Sequence, residues 1–159
     1  MNKELKNKIL KMAAKDQKMR SGEKWNKNVD IQNTNIMKEI IKTFGWPDID
    51  LVGKQASINA WLLVQHSDHD VFFQEKCLRL IKEKLKDNKV IPENYAYLKD
   101  RVNVNKKRLQ LYGTQFYLNN NKKLVPRPIR DKKNLDKRRE KYGLELFEKY
   151  QLRMKNIKG

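Results

Sequence analysis

Apolar residues recur every three or four positions through much of this chain, the spacing that places side chains on one face of a helix. Leu5, Ile9 and Met19 follow this pattern, with lysines between them, and predict a helix over residues 2–20. The polar stretch at residues 21–30 is typical of a loop. The N-terminal part is therefore predicted to be a basic helix followed by a loop.

The middle of the chain predicts further helices. The Asn33-Thr34-Asn35 triplet can cap a second helix, which Gly45 ends. A long helical block follows over residues 54–86, and its apolar stripe is interrupted at residues 67–70. Serine and aspartate at these positions are good N-cap residues, so we expect a break there rather than one straight helix.

The last third of the chain mixes helical and extended patterns. Residues 94–104 predict a short helix, residues 108–126 predict a small extended or hairpin segment, and residues 135–155 predict a last, basic helix. The predicted fold class is therefore mainly α. We expect a single domain over residues 1–159, with most of the polar motifs in a core region at residues 45–118.

Composition adds a strong positive charge to this picture. The chain has 159 residues, with 37 lysines and arginines against 19 aspartates and glutamates, and a formal net charge of +18. Such a charge favours polyanionic partners such as nucleic acid. The excess of lysine over arginine also fits the composition of proteins from AT-rich genomes. The charge alone therefore leaves open whether nucleic acid binds to this basic surface.

The sequence carries no signal for a membrane or for secretion. No apolar run is long enough to span a bilayer, and the charged N-terminus has no apolar segment behind it. The single cysteine, Cys77, cannot form a disulfide within the chain. We therefore expect a cytoplasmic protein without a membrane partner.

The most polar interruption of the helical pattern lies at residues 65–74 and contains both histidines of the chain. If the helix were continuous, His66, Asp70 and Gln74 would share one face. A histidine beside a carboxylate can act as a general acid or base, with Asp68 or Asp70 orienting His66. The alternatives are a helix cap for Asp70 and a buried, structural His66.

A metal ion is the less favoured interpretation of this segment. Two histidines with aspartates would need a further ligand from another segment, for which Asp100 is the candidate. The chain lacks a His-Glu-x-x-His motif and a cysteine cluster. We therefore predict no metal ligands, and the sequence leaves any cofactor open.

Three further segments carry polar side chains suited to ligand binding. Asp100 and Arg101 are adjacent, so each needs a separate partner on a helix, and Arg101 can bind a phosphate or form a structural ion pair. Residues 110–115 combine neutral hydrogen-bonding groups with Gly113, which suits a polar ligand or a tight turn. Arg138 or Arg139, near the start of the predicted last helix, can hold a phosphate, or both can lie on a solvated face.

Short motifs follow one another from Asp16 to Tyr150. In chain order they include Asp16-Gln17 with Arg20, Gly45-Trp46-Pro47, Gln65-His66 with Asp68 and Asp70, Ala96-Tyr97-Leu98 with Asp100-Arg101-Val102, and Tyr112-Gly113-Thr114-Gln115. This set resembles an uncharacterised bacterial domain family that carries only a domain-of-unknown-function label. In that family a proline often follows the second aspartate, where this chain has Val71, and a proline there fits the first turn of a helix capped by Asp70. The resemblance implies that the polar motifs form one group, and it implies no activity.

The leading hypothesis is a small intracellular enzyme, a hydrolase or transferase that acts on a polar or phosphate-bearing substrate. In it, His66 is the general acid or base, and Asp68 or Asp70 orients it. The side chains expected to bind the substrate are Gln65, Gln74, Asp100, Arg101, Gln110, Tyr112, Thr114, Gln115 and Arg139. The alternatives are a non-catalytic basic binding module for nucleic acid or an acidic partner, and a toxin or defence-type effector. The sequence does not decide whether the protein is an enzyme.

Overall fold

The computed structural model describes residues 1–22 and 26–156. It shows a mainly helical chain with one small antiparallel hairpin, which confirms the predicted fold class. The chain divides into two compact units, Met1–Ile91 and Pro92–Gly159. The prediction of a single domain over residues 1–159 stays a prediction.

The described part of the first unit contains five helices. They are α1 (Lys3–Gly22), α2 (Lys27–Phe44), α3 (Ile49–Val52), α4 (Lys54–Gln65) and α5 (Val71–Leu85). Helices α1 and α2 both pack against α4. The core takes fully buried side chains from each of the four longer helices, Ile9, Met37, Leu63 and Ile81. Burial of each such side chain stabilises the fold by about 1.5–3 kcal/mol.

Helix α2 begins well before the predicted cap. Asn26 is its N-cap, so the loop expected at residues 21–30 was wrong over residues 27–30, and the cap expected at residues 33–35 was wrong. Residues 21 and 22 belong to α1, and residues 23–25 of the predicted loop lie outside the described residues. Thr34 faces inward, where its Oγ1 lies 2.8 Å from the carbonyl oxygen of Asp30 and 2.8 Å from Ser67 Oγ. The contact with Ser67 is a tertiary contact, and it stabilises inside the helix a polar residue that local propensity would place at a helix end.

The predicted break in the long helical block is confirmed. Helix α4 ends at Gln65, and α5 begins at Val71 with Asp70 as its N-cap. Asp70 Oδ1 accepts a hydrogen bond of 2.9 Å from the backbone N–H of Phe73, and Lys38 Nζ lies 2.6 Å from its other oxygen. The aspartate therefore fixes the start of α5 and ties it to α2.

We expect Asp70→Ala to lower the free energy of unfolding by about 1–2 kcal/mol, because it removes the cap acceptor and the partner of Lys38 together. Asp70→Asn keeps an acceptor oxygen and loses only the charge, so it should cost about 0.5 kcal/mol. Chemical denaturation of both variants beside the wild type measures the two contributions.

The contribution of the Asp70 charge should depend on pH. The hydrogen bond from Lys38 lowers the pKa of Asp70, burial opposes this shift, and the N–H of Phe73 supports it. The charge therefore stabilises the fold at neutral pH, and this stabilisation is lost as the pH falls below about 3.9 and through the lower pKa of the folded state. The free energies of unfolding of wild type and Asp70→Asn should therefore become equal in acid. A difference that stays constant with pH would contradict the role of the charge.

The described part of the second unit combines three helices with the hairpin. Its elements are α6 (Pro92–Asn105), β1 (Phe116–Leu118), β2 (Leu124–Pro126), α7 (Leu135–Glu140) and α8 (Phe147–Asn156), with a 3-10 turn at Lys132–Asn134 before α7. Tyr117 faces Val125 in the hairpin register. The strands are shorter than the predicted extended segment, because residues 108–115 form a loop and contribute only one isolated bridge, Gln110 to Ile129.

The single last helix expected over residues 135–155 was wrong, because the segment forms two helices. Gly143 has a φ of +71°, a conformation that glycine adopts without strain and that cannot continue a helix. The backbone N–H groups of Tyr142 and Leu144 both donate to the carbonyl oxygen of Arg139, which closes α7. Asp136 then accepts a hydrogen bond of 2.8 Å from Phe147 N–H at the start of α8.

The helical surfaces are mixed in polarity rather than uniformly apolar. Across residues 1–22 and 26–156, no helix is both long enough and apolar enough to cross a membrane.

Candidate functional site

A polar cluster in the first unit is built around Asp16 on α1. The Asp16 side chain is fully buried, and its Oδ2 lies 2.9 Å from Nδ1 of His66. Gln17 Nε2 donates to the same oxygen over 2.9 Å. Arg20, one helical turn later, places its Nε 3.3 Å from Asp16 Oδ2. The buried carboxylate is therefore paired with a histidine and an arginine, as a buried charge requires.

Arg20 joins this cluster to α2. Its Nη2 forms a short ion pair with Asp30, whose side chain is 7% exposed, while the arginine side chain itself is 27% exposed. Asp30 lies one turn before Thr34 on the same face of α2. One arginine thus bridges two nearly buried carboxylates and keeps part of its own surface open to solvent.

His66 is the C-cap residue of α4, and it stands where the apolar helix gives way to the polar turn. Its side chain is 16% exposed. A carboxylate can only accept hydrogen bonds, so the Nδ1 that faces Asp16 carries the ring proton. Within residues 1–22 and 26–156, Nδ1 makes the ring's only hydrogen bond. In the neutral ring, the lone pair on Nε2 therefore has no described hydrogen-bond donor.

Asp16 remains a carboxylate in spite of its burial. Burial by itself would raise the pKa of Asp16, but the hydrogen bond and charge of His66, with the charge of Arg20, outweigh it and lower that pKa. The pair therefore has the polarity needed to fix the imidazole orientation and to stabilise its protonated form.

Two buried polar atoms next in sequence to the cluster lack hydrogen-bond partners in the part of the chain that the structure describes. They are Oε1 of Gln65, which precedes His66, and Nδ2 of Asn33, which precedes Thr34. A buried polar atom without a partner costs about 1–3 kcal/mol. Each of these buried atoms therefore leaves one hydrogen bond unmade within the described part of the protein.

The hydrogen bonds described for the other predicted catalytic residues of this unit go to groups other than the imidazole. Asp70 caps α5 and pairs with Lys38, as described above. Asp68 accepts a hydrogen bond of 3.3 Å from Gln74 Nε2, which also reaches the carbonyl oxygens of Val64 and Gln65 at the end of α4. Among the described residues, the carboxylate that orients His66 is that of Asp16 rather than Asp68 or Asp70.

In the second unit, Asp100 anchors the loop at residues 110–115. Its buried carboxylate accepts hydrogen bonds from the backbone N–H groups of Leu111, Tyr112 and Thr114 and from the Thr114 hydroxyl. Burial raises the pKa of the Asp100 carboxyl, and these four donors oppose that shift by favouring the carboxylate. The contacts on this side chain are those of a structural anchor.

Gln110 and Gln115 complete the loop. Gln110 Oε1 accepts from Gln115 N–H, and its Nε2 donates to the carbonyl oxygens of Gln115 and Arg127. Gln115 Nε2 donates to Thr114 Oγ1, while its Oε1 accepts from Arg101. Gly113 is required here, because it has a φ of +68° and an added Cβ would lie 2.5 Å from the Phe147 ring.

Arg139 is buried and directs its donors at the protein backbone. Its Nη1 donates to the carbonyl oxygen of Tyr112, and its Nε donates to that of Glu145 over 2.7 Å. The guanidinium also lies 4.9 Å from the ring centre of Tyr150. The structure therefore brings Asp100, Tyr112 and Arg139 together, but around one loop, and their predicted role in substrate binding stays a prediction.

Sequence reasoning missed the role of Asp16. Asp16 and Arg20 belong to the quoted motif set, but 50 positions separate Asp16 from His66, so no local pattern links them. Among the described residues, no group of three or more histidine, cysteine, aspartate or glutamate side chains is placed to hold a metal ion.

Comparison with known proteins places the chain in a family without an assigned activity. Searches of the curated proteins and of the solved structures find no match. One family model does match, from residue 4 to residue 159, and its description is "Family of unknown function (DUF6624)". Because that match covers nearly the whole chain, the protein belongs to the DUF6624 family.

Proposed function

We propose that the protein is an enzyme, a hydrolase or a transferase, in which His66 is the general acid or base and Asp16 orients it. The proposal rests on one observation, the 2.9 Å contact between a fully buried carboxylate and the Nδ1 atom of a partly exposed imidazole. This arrangement is the one that acid–base enzymes use to hold a histidine in its active tautomer.

In the proposed reaction, Nε2 of His66 removes a proton from water or from the hydroxyl of an acceptor substrate. The oxygen that loses the proton then attacks the substrate that carries the leaving group. The positive charge that develops on the ring is stabilised by Asp16, and the same nitrogen returns the proton to the leaving group. Arg20 Nε, 3.3 Å from the same carboxylate oxygen, helps to hold the Asp16 side chain in place. The proposal assigns the orienting role to Asp16 instead of Asp68 or Asp70.

The surroundings of the pair favour a polar substrate. Gln65 Oε1 and Asn33 Nδ2, a buried acceptor and a buried donor without partners among the described residues, lie close in sequence to the cluster. The side chain of Arg20 is 27% exposed, but its positive charge is already paired with Asp16 and Asp30. We therefore propose a polar small molecule as the substrate class, whether or not it bears a phosphate.

A screen for turnover tests the proposed function. Phosphate monoesters, phosphate diesters, nucleotides and carboxylic esters are incubated with wild-type protein and with His66→Ala prepared in parallel. Activity that is equal in the two preparations does not depend on His66, and activity lost in the variant belongs to the site. The non-catalytic binding module and the effector remain the alternatives, and a screen with no His66-dependent turnover would favour them.

The tautomer of His66 gives a test that needs no substrate. We expect the neutral ring to carry its proton on Nδ1 in the wild type, because the Asp16 carboxylate can only accept. In Asp16→Asn the amide can donate to the ring, so the proton should move to Nε2. Heteronuclear NMR of the ring nitrogens measures both states, with the exposed His69 as an internal reference. A wild-type ring protonated on Nε2 would contradict the proposed geometry.

A further inference from the structure

We propose that a basic pocket in the second unit binds a small ligand that carries two or more phosphate groups. The pocket has a volume of about 500 Å³ and follows the C-terminal end of α6. Four cationic side chains line it: Lys99, Lys107, Arg108 and Arg130. The proposal rests on residues of the second unit alone and does not depend on the function proposed for His66.

The charges in this basic pocket are not balanced by the protein. No carboxylate is among its lining side chains. Among the described residues, none of its four cations forms an ion pair, whereas nearby Arg138 pairs with Asp131 and Arg153 pairs with Glu145. Like charges gathered around one cavity repel each other, and a multivalent anion between them removes that repulsion.

The loop backbone holds these cations in position. After α6 the chain turns sharply at Lys107, which has a φ of +57°, and Arg108 N–H donates to the carbonyl oxygen of Asn103 over 2.8 Å. On the facing segment, Arg130 N–H donates to the carbonyl oxygen of Gln110 over 2.9 Å. The side chains therefore extend from fixed backbone positions, so less conformational entropy is lost when a ligand binds.

The size and lining of the basic pocket suit a small molecule. Its volume falls within the range of about 300–1,000 Å³ that is usual for ligand sites. Two arginines can each bind a phosphate through two parallel hydrogen bonds, and the lysines add point charges. Leu111 and the 50% exposed Leu109 form an apolar wall for the rest of the ligand. A nucleoside triphosphate has this combination of groups.

Isothermal titration calorimetry with ATP and with inorganic triphosphate, at physiological ionic strength, tests the proposal. We expect saturable binding of one ligand per chain. The double variant Arg108→Gln with Arg130→Gln should weaken it by at least about tenfold, because two bidentate phosphate contacts are lost. Both side chains belong to exposed residues, so the variant should keep the wild-type melting temperature.

The matched control removes the same charge elsewhere. Lys122→Gln with Lys123→Gln lowers the net charge by two on the hairpin turn, outside the basic pocket, and should change the affinity by less than about twofold. Equal losses in the two double variants would show adhesion through net charge and would overturn the proposal. It would also be overturned if neither phosphate ligand binds saturably, or if only a short oligonucleotide binds.

If Arg108→Gln with Arg130→Gln fails to fold, Lys107→Glu replaces it as the test. Lys107 lines the basic pocket and is exposed. The added negative charge should weaken phosphate binding by at least about tenfold, because it opposes the ligand directly. Unchanged binding in this variant would overturn the proposal as clearly as equal losses in the two double variants.

Discussion

His66→Ala should lower turnover on a substrate found in the screen by about 10²–10⁴-fold, the usual contribution of a positioned acid–base group. The loss should fall on kcat, because the imidazole acts on the reacting groups rather than on substrate affinity. The fold should survive, since Asp16 keeps its contacts with Gln17 and Arg20. The expected loss of unfolding free energy is about 1.5–3 kcal/mol, the value of one hydrogen bond to a charged group.

Two control variants separate catalysis from structure. His69→Ala removes the other histidine, which is exposed, and should leave both turnover and stability unchanged. Asp16→Asn keeps the shape of the side chain but should lower turnover by about 10²-fold or more, because the imidazole loses its tautomer and its compensating charge. Steady-state kinetics and chemical denaturation on the same preparations measure both properties.

The opposite pattern would remove the enzyme hypothesis. If His66→Ala strongly destabilises the protein and no substrate in the screen depends on His66, the Asp16–His66 pair is a structural link between α1 and α4. If His69→Ala affects turnover as much as His66→Ala, the activity does not arise from this pair.

Structural features that depend on residues within about one helical turn could be predicted from the sequence. The apolar spacing in α1 and the cap residue Asp70 both act locally, and both elements occur where they were expected. The start of α2 could not be predicted in this way, because Thr34 is stabilised inside that helix by Ser67, a residue 33 positions away.

The same distinction explains what was found and missed in the candidate site. The segment at residues 65–74 stood out because polar groups follow an apolar helix directly. Its partner Asp16 could not be deduced, because helix packing alone brings α1 to the end of α4. The polar loop at residues 110–115 was singled out for ligand binding, yet each of its described hydrogen bonds with Asp100 and Gln110 lies within the protein.

Asp100→Ala should lower the free energy of unfolding by about 3–5 kcal/mol, the largest loss that we expect from a single change in the second unit. The carboxylate of Asp100 accepts from the backbone N–H groups of Leu111, Tyr112 and Thr114. Alanine leaves these donors near the protein interior without an acceptor, and each unpaired buried donor costs about 1–3 kcal/mol. Chemical denaturation followed by circular dichroism measures the loss.

A graded series identifies the cause of that loss. Thr114→Ala removes only the hydroxyl hydrogen bond to Asp100 and should cost about 1 kcal/mol, because the backbone donors keep their acceptor. Asp100→Asn keeps the volume of the side chain but turns an amide N–H₂ towards some of the same donors. Its loss of unfolding free energy should therefore lie between those of Thr114→Ala and Asp100→Ala. A loss of less than about 1 kcal/mol in Asp100→Ala would mean that the donors find other partners easily. The carboxylate would then be free to act on a ligand, as the sequence predicts for Asp100, whereas a large and graded loss assigns its charge to holding the loop.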